Sequence, residues 1–265
     1  MTFFESLANR INSIGSILCI GLDPDIAYIP SHLQDEDLPS WSFNRRIIDA
    51  TCPYAAAYKP NAAYYENSDG WDSLVETISY AHGKGVPVIL DAKRADIGAT
   101  AHQYAKLLDM ADAITANPYM GIDSLSPFLS RSDAGVFILC RTSNPGGSDL
   151  QNLKLSSGMY LYEHVALLAD SWNEHGNVGL VVGATNPDEL QRVRTLTPDL
   201  PFLVPGIGAQ KGNVESAANY CLSSHNVGLV SASRSIIFAG EGDTFDKSAG
   251  SAAKRARDLL NQSLK

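Results

Sequence analysis

Eight short apolar runs, each followed by an amphipathic stretch, constrain the fold of this 265-residue chain more than any other feature. They are SILCIGLD (16–23), AAAYKPN (55–61), PVILDAK (87–93), AITANP (113–118), VFILCRT (136–142), VGLVVGAT (178–185), FLVPGI (202–207) and VGLVSAS (227–233). Near-continuous apolar strands suit a parallel sheet covered on both faces. The stretches between them have helical spacing over 41–51, 68–83, 98–110, 121–130, 158–175, 187–196, 211–222 and 246–263, and residues 3–14 form a helix ahead of the first run. Eight such units predict an α/β fold, a TIM (β/α)8 barrel filling one domain over 1–265. A doubly wound open sheet has the same alternation, but no GxGxxG follows the first run.

The bulk numbers agree with a compact enzyme-sized domain and narrow its partners. No apolar run is long enough to cross a bilayer, and the N-terminal MTFFESLANRINSIG reads as a mature helix rather than a secretion signal, so a cytoplasmic protein is expected. Cysteines 19, 52, 140 and 221 form no CxxC pair, which argues against disulfides and zinc. A net charge of −9 argues against non-specific binding to nucleic acid. The polar, glycine-bearing stretch 142–158 follows the fifth run and is expected to cover a site at the C-terminal face of the barrel.

Charges gather where the first three runs end. Strand residues two apart share a face about 6.5–7 Å from one another, so Asp91 and Lys93 both point into the barrel mouth. Asp96 falls in the following turn, close enough to join them. Asp23 ends the first run and Lys59 the second, giving a formally neutral Lys-Asp-Lys-Asp array. A lone strand-end Asp can cap a turn and a lone Lys can snorkel to solvent, but two acids around one ammonium carry a desolvation cost that surface pairs avoid. Arg94 faces away on the same alternation and reads as a rim charge.

A second group lies at the last two runs. VPGIGAQKGN (204–213) and SASRSIIFA (231–239) occupy positions where barrels often bind phosphate, with Gln210 as a neutral donor and Arg234 as a forked cation. A phosphate grip opposite a lysine between carboxylates predicts a small phosphorylated substrate. No cofactor fingerprint or metal-ligand cluster accompanies them.

Seven motifs in order, GLDP (21–24), YKPN (58–61), DAKRADIGAT (91–100), NPYMG (117–121), TSNPG (142–146), PGIGAQ (205–210) and SRSI (233–236), resemble the orotidine 5′-phosphate decarboxylase family across most of the chain, in its longer bacterial form. The resemblance implies loss of CO2 from orotidine 5′-monophosphate to give UMP, the last step of de novo pyrimidine synthesis, with no metal or organic cofactor. It makes Lys93 the proton donor to C6, flanked by Asp91 and Asp96, with Asp23 and Lys59 on the ribose hydroxyls. Ser143 would touch the pyrimidine, and Gln210, Arg234 and the backbone near Ser233 would take the phosphate, with Pro205 in the same binding set. It also implies a homodimer in which Asp96 and Thr100 reach the neighbouring subunit's site. Ala95 stands where many relatives have glycine. Related metal-dependent sugar-phosphate barrels share the Asp-x-Lys-x-x-Asp pattern, and a silent nucleotide sensor would share the grip; the first lacks TSNPG paired with GAQ and SRS, and the second would be expected to have lost a charge.

Overall fold

A computed structural model describes residues 2–67, 70–206, 213–225 and 227–264. The chain opens with α1 (Phe3–Ile14), β1 (Leu18–Leu22), α2 (Ser31–Gln34), α3 (Pro39–Thr51), β2 (Ala57–Pro60), α4 (Gly70–Gly83) and β3 (Ile89–Arg94). It continues through α5 (Gly98–Ala105), β4 (Ala113–Ala116), α6 (Ile122–Leu129), β5 (Gly135–Arg141), α7 (Ser148–Gln151), α8 (Leu161–Ser171) and β6 (Val178–Val182). The last elements are α9 (Pro187–Leu196), β7 (Phe202–Pro205), α10 (Val214–Cys221), β8 (Leu229–Ala232), α11 (Arg234–Ile237) and α12 (Phe245–Ser263).

All strand pairings are parallel, in the order β2-β1-β8-β7-β6-β5-β4-β3, and isolated bridges Tyr58↔Val88 and Asn61↔Asp91 join the two ends. The protein is therefore a TIM barrel, as the eight runs predicted. Its strands are short because each needs only to cross a core lined by alternating side chains. The seam closed by isolated bridges instead of a continuous ladder, between β2 and β3, is where Lys59 and Asp91 lie.

The N-terminal end of the barrel is closed by α1. Its Thr2 cap accepts from Glu5 N–H while Glu5 answers on Thr2 N–H, and Phe3, Phe4, Leu7 and Ile11 form the buried stripe of the helix. Phe3 and Phe4 meet Phe137 of β5 edge-on, with centroids 6.1 and 5.5 Å away. Arg10 donates to the carbonyls of Cys52, Ala55 and Gly85, tying the entries to β2 and β3 to the same helix. With one end plugged, the other is left for function.

Candidate active site

Strand alternation aims Lys59 into the barrel. Tyr58 beside it points outward under α3, where its hydroxyl meets Thr51 Oγ1 at 2.8 Å, so Lys59 must point inward. It is buried, at 7% exposure, and its Nζ donates to Asp91 Oδ2 at 2.7 Å across the β2–β3 seam. Lys93 Nζ donates to the other oxygen, Asp91 Oδ1, at 2.6 Å. Lys93 differs from Lys59 in access, because 47% of its side chain is exposed. One ammonium is locked in the wall, and the other faces the mouth.

Asp91 and Lys93 meet as the sequence predicted, but not on a regular strand. Between Leu90 and Arg94 the β3–β4 register slips, and Lys93 sits at φ 49°, the left-handed region that costs a residue with a Cβ roughly 1–2 kcal/mol. The displaced Lys93 N–H donates to Thr115 Oγ1 at 2.9 Å, and the same hydroxyl donates to Asp91 Oδ1 at 2.9 Å. Sequence reasoning missed Thr115; the available signal was a lone hydroxyl in the otherwise apolar, buried run AITA. Arg94 behaves as a rim charge, paired with Glu66 and stacked 5.0 Å from the Tyr104 ring centre.

The charges reinforce one another. Burial drives the Asp91 carboxyl upward, but the Lys59 and Lys93 ammoniums outweigh it and hold Asp91 below the usual carboxylate range. Burial likewise works against the Lys59 ammonium, and the Asp91 and Asp23 carboxylates outweigh it, holding Lys59 above the ordinary lysine range. Asp91 is thus an anion and Lys59 a cation at neutral pH. The neighbouring Cys19 thiol, fully buried, is pushed up to about 12, which leaves it protonated.

Asp23 lies one step around the barrel and is held differently. A Cβ on Gly21 would fall 2.6 Å from Ser233 Cβ, so glycine there lets the β8 loop close over β1. Ser233 Oγ then donates to Asp23 Oδ2 at 2.6 Å, while Asp23 Oδ1 is buried with no hydrogen bond among the described residues. An unfilled buried acceptor suits a ligand hydroxyl.

Asp96 does not join the cluster within its own chain. Its Oδ1 accepts from Ile97 N–H at 2.8 Å, and it makes no ion pair with Lys93 or any other described residue. Thr100, in the first turn of α5, is exposed. Ser143 lines a cleft of about 540 Å³ with Arg141, Asn144, Pro145, Thr185 and Asn186. The stretch expected to cover the site is anchored at its base, where Gln151 Oε1 accepts from Thr142 N–H at 2.9 Å and Arg141 pairs with Glu189 at 2.7 Å.

On the remaining side, Pro205 ends β7 opposite Ser231 of β8, and exposed Arg234 opens α11 without a side-chain partner among the described residues. Gln210 lies outside the described residues, as does the predicted start of a helix at 211. Among the described residues, no group of three or more His, Cys, Asp or Glu side chains converges as metal ligands would.

A parallel barrel with two ammoniums bracketing one carboxylate at its C-terminal mouth defines a (β/α)8 enzyme equipped to handle charge and protons. Residues 16–244 match the model of the orotidine 5′-phosphate decarboxylase / HUMPS family, and the chain belongs to that family. Orotidine 5′-phosphate decarboxylase of Haloarcula marismortui is 60% identical over 276 residues, covering 99% of each chain. The enzyme of that name from Azoarcus sp. is 49% identical, over 98% of this chain and 99% of its own. Relatives of this length thus come from an archaeon and a bacterium alike, so length does not single out a bacterial form. Among solved structures, OMP decarboxylase of Leishmania donovani superposes with a TM-score of 0.84 at 42% identity, over 99% of this chain and 98% of that one.

Proposed function

We propose that this chain is a carboxy-lyase that converts orotidine 5′-monophosphate to UMP and CO2, completing pyrimidine synthesis. The observation that carries this reading is the short bridging of Asp91 by Lys59 and Lys93, at 2.7 and 2.6 Å, in a chain similar over its whole length to enzymes of that name.

In the proposed reaction, the electron pair of the bond between C6 and the carboxylate stays on C6 as CO2 leaves. That carbanion has little resonance relief, so an ammonium already in place stabilises charge where it develops. Lys93 Nζ then gives its proton to C6, forming the C6–H bond of UMP, and the neutral amine regains a proton from water at the mouth. Asp91, kept ionised by the two lysines, stands beside the substrate carboxylate and fixes the Lys93 head group. No step passes through a metal or organic cofactor.

Binding is assigned to the other residues. Asp23, with its open Oδ1, and Lys59 take ribose hydroxyls. Ser143 takes the pyrimidine, and Pro205, Gln210, Ser233 and Arg234 surround the phosphate. Phosphate binding, remote from C6, supplies energy that holds the ring in place. The partly exposed Asp96 and exposed Thr100 serve a neighbouring subunit, and exposed Ile97, Tyr119 and Ile122, at the entries to α5 and α6, supply apolar surface for that contact. The span 1–265 works as one domain, in the cytoplasm, without nucleic acid or membrane partners; the net charge of −9 and four free cysteines support that setting.

The test is orotidylate turnover in D2O followed by NMR. UMP carrying one deuterium at C6, formed in step with CO2, is the expected product; absence of UMP would sink the assignment.

A further inference from the structure

We infer that Thr115 is a positioning residue for the proton transfer, its single hydroxyl holding the Asp91 carboxylate and the Lys93 peptide in one arrangement. Thr115 is 1% exposed, between Ile114 and Ala116 on β4, where an unbonded hydroxyl would be costly. A threonine hydroxyl has one proton and two acceptor lone pairs. The proton goes to Asp91 Oδ1 at 2.9 Å, and a lone pair receives Lys93 N–H at 2.9 Å.

The need for this hydroxyl arises from the irregular end of β3. Registers Leu90↔Ile114 and Arg94↔Ala116 leave four steps on β3 against two on β4, so the Lys93 peptide falls outside the regular ladder. The Thr115 side chain stands in for the ladder acceptor. It therefore anchors the residue with φ 49° at the point where its side chain turns toward the mouth.

The same contact matters when the proton moves, and here the inference rests on the decarboxylase reading. Asp91 Oδ1 takes two side-chain donors, Lys93 Nζ and Thr115 Oγ1. Once Lys93 has given a proton to C6, its amine is neutral and its hold on Asp91 weakens. Thr115 and Lys59 still grip the two carboxylate oxygens, so the site returns to its starting geometry when the amine is reprotonated.

The test exchanges hydroxyl for methyl in both directions. Thr115→Val keeps the shape and loses the hydroxyl; Thr115→Ser keeps the hydroxyl and loses the methyl. In Thr115→Val, kcat for orotidylate should fall roughly 10- to 100-fold, as for loss of a hydrogen bond to a charged group, with KM within about threefold. Exchange of the Lys93 amide hydrogen, read by NMR, should accelerate at least about tenfold in the same variant. Thr115→Ser should stay near the parent on both readouts, and Thr115→Ala replaces the valine variant should that not fold. Unchanged kcat and amide exchange in Thr115→Val, or a fall in Thr115→Ser as large as in Thr115→Val, would overturn the assignment. If the parent itself does not turn over orotidylate, the decarboxylase reading fails, and amide exchange still decides whether Thr115 anchors Lys93.

Discussion

On the β2–β3 side of the mouth, Lys59, Asp91 and Lys93 satisfy one another at 2.7 and 2.6 Å, whereas toward β8 Arg234 is exposed without a side-chain partner and Asp23 Oδ1 is buried without a hydrogen bond among the described residues. The first side satisfies its charges from within the chain. The second has a cation and an acceptor that a nucleotide's phosphate and hydroxyls would complete. The contrast implies that substitutions on the first side should change the rate of chemistry and the stability of the fold, and that substitutions on the second should change affinity.

The largest expected effect is on rate. Lys93→Ala should lower kcat by about 10⁴-fold or more, removing both proton donor and charge stabilisation, while UMP still binds measurably by calorimetry. Near-normal turnover would remove Lys93 as the acid and erase the contrast.

Next comes stability. Asp91→Asn removes the carboxylate that buried Lys59 donates to, leaving only Asp23 to offset its charge, and should cost about 3 kcal/mol in denaturant unfolding. The pH dependence has a definite sign. Because folding lowers the Asp91 pKa, its stabilising contribution is complete above the usual carboxylate range and is lost as pH falls below it. Because folding raises that of Lys59, its contribution is complete below the ordinary lysine range and is lost as pH rises above it. Asp91→Asn should therefore flatten the acid side of a plot of Tm against pH; an unchanged acid limb would contradict the ion cluster's role.

Complementation addresses Asp96, which belongs to neither side within one chain. Equal mixing of Asp96→Ala and Lys93→Ala subunits should restore about a quarter of parental activity if each site draws on two subunits, since half the dimers then carry one intact site. No recovery, with mixed dimers demonstrated, would confine each site to one chain. On the binding side, Arg234→Ala should weaken UMP about 10- to 100-fold, the value of a charged hydrogen bond. Ser143→Ala is expected to have the smallest effect, raising KM by about threefold to tenfold.

Much of this was legible in the sequence, for identifiable reasons. Eight apolar runs with helical spacers require a covered parallel sheet, and strand period two points to Asp91 and Lys93 as partners, although the contact forms through a bulge and not on a regular strand. Periodicity could not show that β3 breaks its register at Lys93, because the bulge depends on the neighbouring strand, and so Thr115 went unnoticed. Spacing alone puts Asp96 near Lys93, whereas its Oδ1 accepts from Ile97 N–H and it forms no ion pair among the described residues; only the family resemblance points it to a neighbouring subunit.

Arginine illustrates the same limit. Arg194 and Arg234 look equivalent as letters, yet Arg194 donates to the carbonyls of Thr197, Pro198, Leu200, Tyr220 and Cys221 and lies 3.5 Å from the Phe202 ring centre. That guanidinium is consumed by the fold, and burial pulls its pKa down to about 10. What separates Arg234 in the sequence is its place after the eighth run, a phosphate position in many barrels, where its forked cation suits an anion.

The most direct measurement is the rate of CO2 release from orotidine 5′-monophosphate by the purified protein in excess EDTA. If Lys93 meets the charge that develops at C6, as proposed, turnover is full and unchanged by added Mg²⁺. Absence of turnover, or turnover that appears only when a divalent metal is restored, would contradict it.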